Sequence, residues 1–197
     1  MIVGLGACLS FRSGLSMNLA NAITSFRLLL IPMVVGSYYS DWGFSHVAAA
    51  ALFTLASLSD WLDGYLARRL NITTDLGAFL DPVADKLLVS AVLIMLSTQF
   101  SVLLLPAMII VSREIVISAL REWMAARGER DVVAVAYSGK LKTTVQMLAI
   151  IMLMLVTESS PIYVFWLGLG MIYIAAVLGL YSAYLYFRAA MPSLSDS

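Results

Sequence analysis

Long stretches without charge constrain this chain more than any other feature of its sequence. Asp, Glu, Lys and Arg are absent from the runs Leu28–Ser40, Trp42–Ser59, Leu87–Ser112, Thr143–Thr157 and Ser159–Phe187. A helix crosses the hydrocarbon core of a bilayer with about 20 mainly apolar residues. Only 12% of the 197 residues are charged, against about 25% in soluble domains. The sequence therefore predicts an all-α integral membrane protein.

The run Leu87–Ser112 is long enough for two helices, because Ser97, Thr98 and Gln99 and then Pro106 interrupt its apolar character. We therefore expect six transmembrane helices. Their predicted bounds are residues 19–38, 44–69, 77–97, 102–125, 137–157 and 162–188. They would form one domain over residues 17–190, with an N-terminal extension over 1–16 and a C-terminal tail over 191–197.

The basic residues predict the topology, because short cytoplasmic loops retain Lys and Arg. With the N-terminus inside, all twelve Lys and Arg fall on the cytoplasmic side or on adjoining helix ends. The opposite loops carry only Asp41 and Glu158. Both termini should then be cytoplasmic.

The zero net charge argues against a nucleic-acid partner, and the single cysteine, Cys8, excludes an internal disulfide framework.

Charge is concentrated in two segments, Asp60–Lys86 and Arg113–Lys142, which hold eighteen of the 24 charged residues. Charged groups in or near a membrane span usually face a cavity or a partner. We therefore expect the chemistry in these segments, at the cytoplasmic side.

The first segment contains four aspartates at helical spacing. Asp60 and Asp63 are three residues apart, Asp81 and Asp85 are four apart, and each pair should share one helix face. Four crowded carboxylates need positive charge to stay ionised, and ligands with oxygen alone favour Mg²⁺ or Mn²⁺ over zinc. Two such ions can clamp phosphoryl oxygens. Alternatively, the carboxylates are solvated, or paired with the neighbouring basic residues.

Residues 60–85 read D-x2-D-G-x2-A-R-x8-G-x3-D-x3-D. This pattern resembles the signature of the CDP-alcohol phosphatidyltransferases. The resemblance implies a six-helix, dimeric membrane enzyme that moves a phosphatidyl group from a CDP-lipid to an alcohol and releases CMP. It further implies that Asp60, Asp63, Asp81 and Asp85 hold two divalent cations, with Asp85 also the general base. By the same resemblance, Asp60, Gly64, Ala67 and Arg68 bind the CDP-lipid.

The second charged segment predicts a phosphate on the acceptor. Arg113 and Arg121 lie on one helical stripe, and Lys140 and Lys142 stand at the entrance of the fifth span. Arginine binds phosphate oxygens in bidentate fashion, and lysine binds them as a point charge. Alternatively, these residues anchor the helices at the cytoplasmic face, with Arg113–Glu114 and Arg121–Glu122 neutralised locally.

Three stretches are similar to the family branch whose acceptor is sn-glycerol 3-phosphate: residues Asn18–Arg27, Ser112–Trp123 and Gly139–Met147. The similarity implies that Arg113, Arg121 and Lys140 bind that acceptor, and that Asn21 and Thr24 lie near the nucleotide of CDP-diacylglycerol. It also implies a multi-pass protein in the lipid of a bacterial inner membrane.

Other functions are open at this stage. The acceptor could instead be inositol phosphate, serine or phosphatidylglycerol, although a basic pocket disfavours serine. A metal-ion transporter would need polar groups reaching the outer face, and the outer halves of the predicted spans have almost none. A non-catalytic lipid-binding relative is disfavoured because the signature is intact.

Overall fold

A computed structural model describes the backbone of residues 26, 28–70, 75–126 and 136–195. It describes the side chains of these residues except 60–70, 75–82, 85, 126, 136–141 and 192–195. All regular secondary structure within these limits is helical. Six α-helices follow in chain order: α1 Leu28–Tyr38, α2 Ser45–Leu70, α3 Asp75–Gln99, α4 Leu104–Ala126, α5 Ala136–Met154 and α6 Ile162–Ser195.

The chain divides into two compact units, Met1–Ala91 and Val92–Ser197. In the first unit, α1 buries one residue per turn, namely Leu30, Val34 and Tyr38. The ring of Tyr38 lies edge-on to His46 at the start of α2, with 4.6 Å between ring centroids. The end of α1 therefore packs beside the beginning of α2, as an edge-to-face aromatic pair.

The predicted turn after α3 is confirmed and lies just before Pro106. Phe100 leaves the helical conformation, with φ −124° and ψ 93°, and a 3₁₀ turn over Ser101–Leu103 follows. Pro106 then occupies the first turn of α4. Backbone N–H groups in the first turn have no acceptor within the helix, so the missing N–H of proline costs no hydrogen bond there. Pro82, by contrast, lies within α3, which continues through it.

In the second unit, α6 packs against both α5 and α4. Its buried positions recur every three or four residues, as one helix face requires. They are Gly168, Leu169, Ile172, Ala175, Ala176, Gly179, Ser182, Tyr186 and Ala190. Small residues on this face let the helix backbones approach closely. The pair Ala175 and Gly179, four residues apart, is thus used for packing within the chain.

Two helical stretches, Ser101–Ala125 and Ile162–Met191, are long and apolar enough to cross a membrane. Four shorter apolar stretches are Leu28–Tyr38, Ser45–Ser59, Lys86–Gln99 and Lys142–Met154. Many large apolar side chains on α4 and α6 are exposed, among them Leu105, Met108, Trp166 and Val177. A water-soluble protein rarely exposes so much apolar surface. These helices are therefore suited to a lipid environment.

Candidate functional site

The acidic motif lies on continuous helix. Asp60 and Asp63 are in α2, and Asp81 and Asp85 are in α3. With 3.6 residues per turn, the members of each pair lie within about 60° of each other around their helix axis. Each pair therefore shares a helix face. The directions of the four side chains lie outside what the structure describes.

The donor set of this motif fits the predicted metals. Four carboxylates offer only oxygen ligands, which Mg²⁺ and Mn²⁺ prefer. Among the side chains that the structure describes, no three His, Cys, Asp or Glu residues are grouped to hold a metal ion. The side chains of the four motif aspartates lie outside this described part of the chain.

Other residues predicted to bind the CDP-lipid are placed only in part. Gly64, Ala67 and Arg68 lie in the last turns of α2, where their side chains are outside the described residues. Asn21 and Thr24 precede the first described residue. Their predicted contacts with the nucleotide remain predictions.

Arg113 is buried inside the second unit and is held by three hydrogen bonds. Its Nε donates to the carbonyl oxygen of Gly179 at 3.2 Å, and its Nη2 donates to Ser182 Oγ at 3.1 Å. Its Nη1 donates to Glu114 Oε1 at 2.8 Å. A guanidinium has five N–H groups. At most two of them remain for a ligand at Arg113.

Glu114 joins two cations from different helices. The same oxygen, Oε1, accepts hydrogen bonds from Arg113 and from Nζ of Lys142 in α5. Lys142 is almost fully enclosed, with 2% of its surface exposed. Buried charges persist in proteins when they are paired and hydrogen-bonded. With both basic groups protonated and Glu114 ionised, the cluster carries one formal positive charge.

Arg121 lies two turns beyond Arg113 on α4 and is exposed. Its Nη2 donates to the hydroxyl oxygen of Tyr186, and its guanidinium carbon lies 4.7 Å from the centre of the Tyr186 ring. Tyr186 itself is buried, with 6% of its surface exposed. A buried aromatic ring therefore supports the guanidinium group of an exposed arginine.

The basic cluster differs in detail from the sequence-based expectation. Local neutralisation is confirmed for Arg113 and Glu114, which form an ion pair. Lys140 lies in α5, with its side chain outside the described residues, and Lys142 joins the buried cluster. Sequence reasoning missed Ser182 and Tyr186 as partners of the arginines. No signal in the sequence singled them out, because their contacts depend on how α6 packs against α4.

These features define the class of protein. A sequence model of the CDP-alcohol phosphatidyltransferases matches residues 17–181, which include the whole acidic motif and both arginines. The chain belongs to this family.

Within the family, the chain is similar to proteins named CDP-diacylglycerol–glycerol-3-phosphate 3-phosphatidyltransferase. It is 44% identical to those of Escherichia coli (strain K12) and Shigella flexneri serotype 5b (strain 8401). It is 42% identical to that of Salmonella choleraesuis (strain SC-B67). Each comparison extends over 181 residues, which are 91% of this chain and 98% of the relative.

Proposed function

We propose that this protein transfers the phosphatidyl group of CDP-diacylglycerol to sn-glycerol 3-phosphate, forming phosphatidylglycerophosphate and CMP. The observation that carries the proposal is the 44% identity to enzymes of that name over 98% of their length. The complete acidic motif supports it, because every residue that the family signature requires is present in this chain.

The acidic motif performs the transfer in this proposal. Asp60, Asp63, Asp81 and Asp85 hold two divalent cations, Mg²⁺ or Mn²⁺. When bound, the two cations stabilise negative charge on the transferred phosphoryl group and on the departing CMP. Asp85 also accepts the proton of the acceptor hydroxyl. The hydroxyl oxygen then forms a bond to the phosphatidyl phosphorus, while the bond from phosphorus to the CMP oxygen breaks and CMP leaves with the electron pair.

Residues beside the motif bind the CDP-lipid. Gly64 and Ala67 leave room on α2 for the nucleotide, and Arg68 supplies positive charge to the diphosphate. Asn21 and Thr24 contact the nucleotide from the N-terminal side of α1. Asp60 belongs to both sets, as a metal ligand and as a contact to the CDP-lipid.

The acceptor binds through its phosphate to Arg113, Arg121 and Lys140. The formal positive charge of the cluster of Arg113, Glu114 and Lys142 supports this assignment, since the partly buried Glu114 carboxylate offsets only one of the two cations. Arg113 would contribute at most two N–H groups, and Arg121 can approach the ligand from solvent.

We further propose a multi-pass protein of a bacterial inner membrane, with six spans, both termini cytoplasmic and the active site at the cytoplasmic side. Residues 17–190 would form the catalytic domain and act as a homodimer. The distribution of Lys and Arg supports this topology, and the exposed apolar side chains of α4 and α6 support contact with lipid.

The decisive experiment measures CMP release by the purified protein in detergent with CDP-diacylglycerol and Mg²⁺. Glycerol 3-phosphate, inositol phosphate, serine and phosphatidylglycerol are compared as acceptors. Of the four acceptors, we expect only glycerol 3-phosphate to support CMP release, and we expect chelation of the metal to abolish this release.

The Asp85→Asn variant should lower turnover by about 10²–10⁴-fold, as expected for loss of a general base, while retaining CDP-diacylglycerol binding.

Preference for another acceptor would contradict the assignment of Arg113, Arg121 and Lys140. An Asp85→Asn variant with wild-type turnover would contradict the role of Asp85 as the base. Release that survives chelation would contradict the metal-dependent mechanism.

A further inference from the structure

We propose that Ser182 and Tyr186 of α6 are positioning residues that direct Arg113 and Arg121 toward the phosphate of the acceptor. This inference rests on the proposed function, because it takes the two arginines as ligands of glycerol 3-phosphate. It adds a role for α6, a helix that carries no charged residue before Arg188.

The two hydroxyl-bearing residues lie on the face of α6 that packs within the second unit. Ser182 is fully buried and Tyr186 is nearly so. Each accepts a hydrogen bond from an Nη2 atom of an arginine on α4. The two partners are four residues apart on α6, and the two arginines are eight residues apart on α4. One helix face thus contacts both guanidinium groups.

At Arg113, α6 contributes two of the three described hydrogen bonds. The Gly179 carbonyl oxygen and Ser182 Oγ accept from Nε and Nη2, on one edge of the planar guanidinium, and Glu114 accepts from Nη1. These contacts fix the plane of the group as well as its position. Loss of the Ser182 hydroxyl would release Nη2 and leave that edge held only through Nε.

At Arg121, Tyr186 fixes a side chain that would otherwise sample many conformations. The ring face holds the guanidinium by a cation–π contact, and the hydroxyl accepts from Nη2. Because Tyr186 is buried, its own position is set by packing. Ordering a ligand-binding group before the ligand arrives reduces the entropy that binding must overcome.

The inference predicts that loss of either hydroxyl weakens the binding of glycerol 3-phosphate and leaves the binding of CDP-diacylglycerol unchanged, because neither hydroxyl belongs to the acidic motif. We test it with Ser182→Ala and Tyr186→Phe, assayed by CMP release with each substrate varied in turn. Tyr186→Phe keeps the ring and removes only the hydroxyl. We expect the KM for glycerol 3-phosphate to rise about tenfold in each variant, which matches the loss of one hydrogen bond to a charged group.

The control is Tyr184→Phe on the same helix, whose side chain is exposed and whose KM values should equal the wild-type values. In all three variants, the KM for CDP-diacylglycerol should stay near the wild-type value. A merely structural role would instead raise the KM values for both substrates together.

Two further variants separate failure of this inference from failure of the proposed function. Arg113→Lys and Arg121→Lys should each raise the KM for glycerol 3-phosphate. If they do so while Ser182→Ala and Tyr186→Phe do not, α6 has no positioning role and the inference is wrong. If the arginine variants leave this KM unchanged, the acceptor site itself is wrongly assigned and the inference fails with it.

Discussion

Glu114 shows how a single residue can decide whether two buried cations are tolerated. Its Oε1 atom accepts from Arg113 and from Lys142, and the Lys142 side chain is 3% exposed. Removing one member of a buried ion pair leaves the remaining charge without compensation, which is strongly destabilising. Because 27% of the Glu114 side chain is exposed, water would partly offset that loss.

We therefore expect Glu114→Gln to reduce the free energy of unfolding by about 2 kcal/mol, below the usual cost of breaking a fully buried pair. Thermal unfolding of the detergent-solubilised protein measures the effect. Glu122→Gln is the matched control, since Glu122 lies on the same helix and is exposed. Equal melting temperatures for the two variants would show that the Glu114 pair contributes no net stability.

At the scale of the helix, α6 depends on small residues where it meets α5. A Cβ atom added to Gly168 would lie 3.0 Å from Cγ and 3.1 Å from Cδ2 of Leu153. Leu153 is completely buried, so it has little room to move. Gly170, two residues further on, has nothing within 4 Å of the corresponding position.

We therefore expect Gly168→Val to destabilise the protein by about 1–3 kcal/mol, the usual cost of overpacking. Gly170→Val introduces the same side chain on the same helix without the clash, so it controls for helix propensity and hydrophobicity. Comparing the melting temperatures of both variants in one detergent tests the packing. If Gly168→Val melts no lower than Gly170→Val, α5 and α6 do not pack tightly at this point.

Sequence patterns predicted the helices well, because lack of charge and turn residues are local features. The observed ends of α2 to α5 lie within three residues of the predicted bounds. α6 extends to Ser195, seven residues beyond the predicted end. The predicted span ended at Arg188 because a charged residue is unfavourable in the hydrocarbon core of a bilayer. A charged residue does not interrupt the backbone hydrogen bonds of a helix, so α6 continues beyond it. Ala189, Ala190 and Met191 are all good helix formers.

The sequence predicted only those residues of the candidate site that are charged and lie at a recognisable spacing. The four aspartates and two arginines meet that condition. The contacts of Ser182 and Tyr186 depend on how α6 is rotated against α4, which is a property of packing between helices distant in sequence. A serine or a tyrosine in an apolar span has many other roles, so neither residue was distinguishable from its neighbours.

At the scale of the whole molecule, the proposed topology places Asp41 and Glu158 on the outer side and the C-terminus in the cytoplasm. We expect cysteines introduced at positions 41 and 158, in a Cys8→Ser background, to react with a membrane-impermeant maleimide in spheroplasts. A cysteine at position 197 should react only after permeabilisation, as short basic loops favour the inside. Labelling of position 197 in intact spheroplasts would contradict the topology.

The hydrogen bonds of Arg113 also have a consequence for biosynthesis. Its partners Gly179 and Ser182 lie 66 and 69 residues later in the chain, so at 5–20 residues per second they are synthesised roughly 3 to 14 s after it. An unpaired arginine in a membrane helix is costly. Glu114 is the next residue to be synthesised and can neutralise Arg113 during this interval. The nascent chain thus supplies the counter-charge of Arg113 immediately, and the last helix later adds two hydrogen bonds to it.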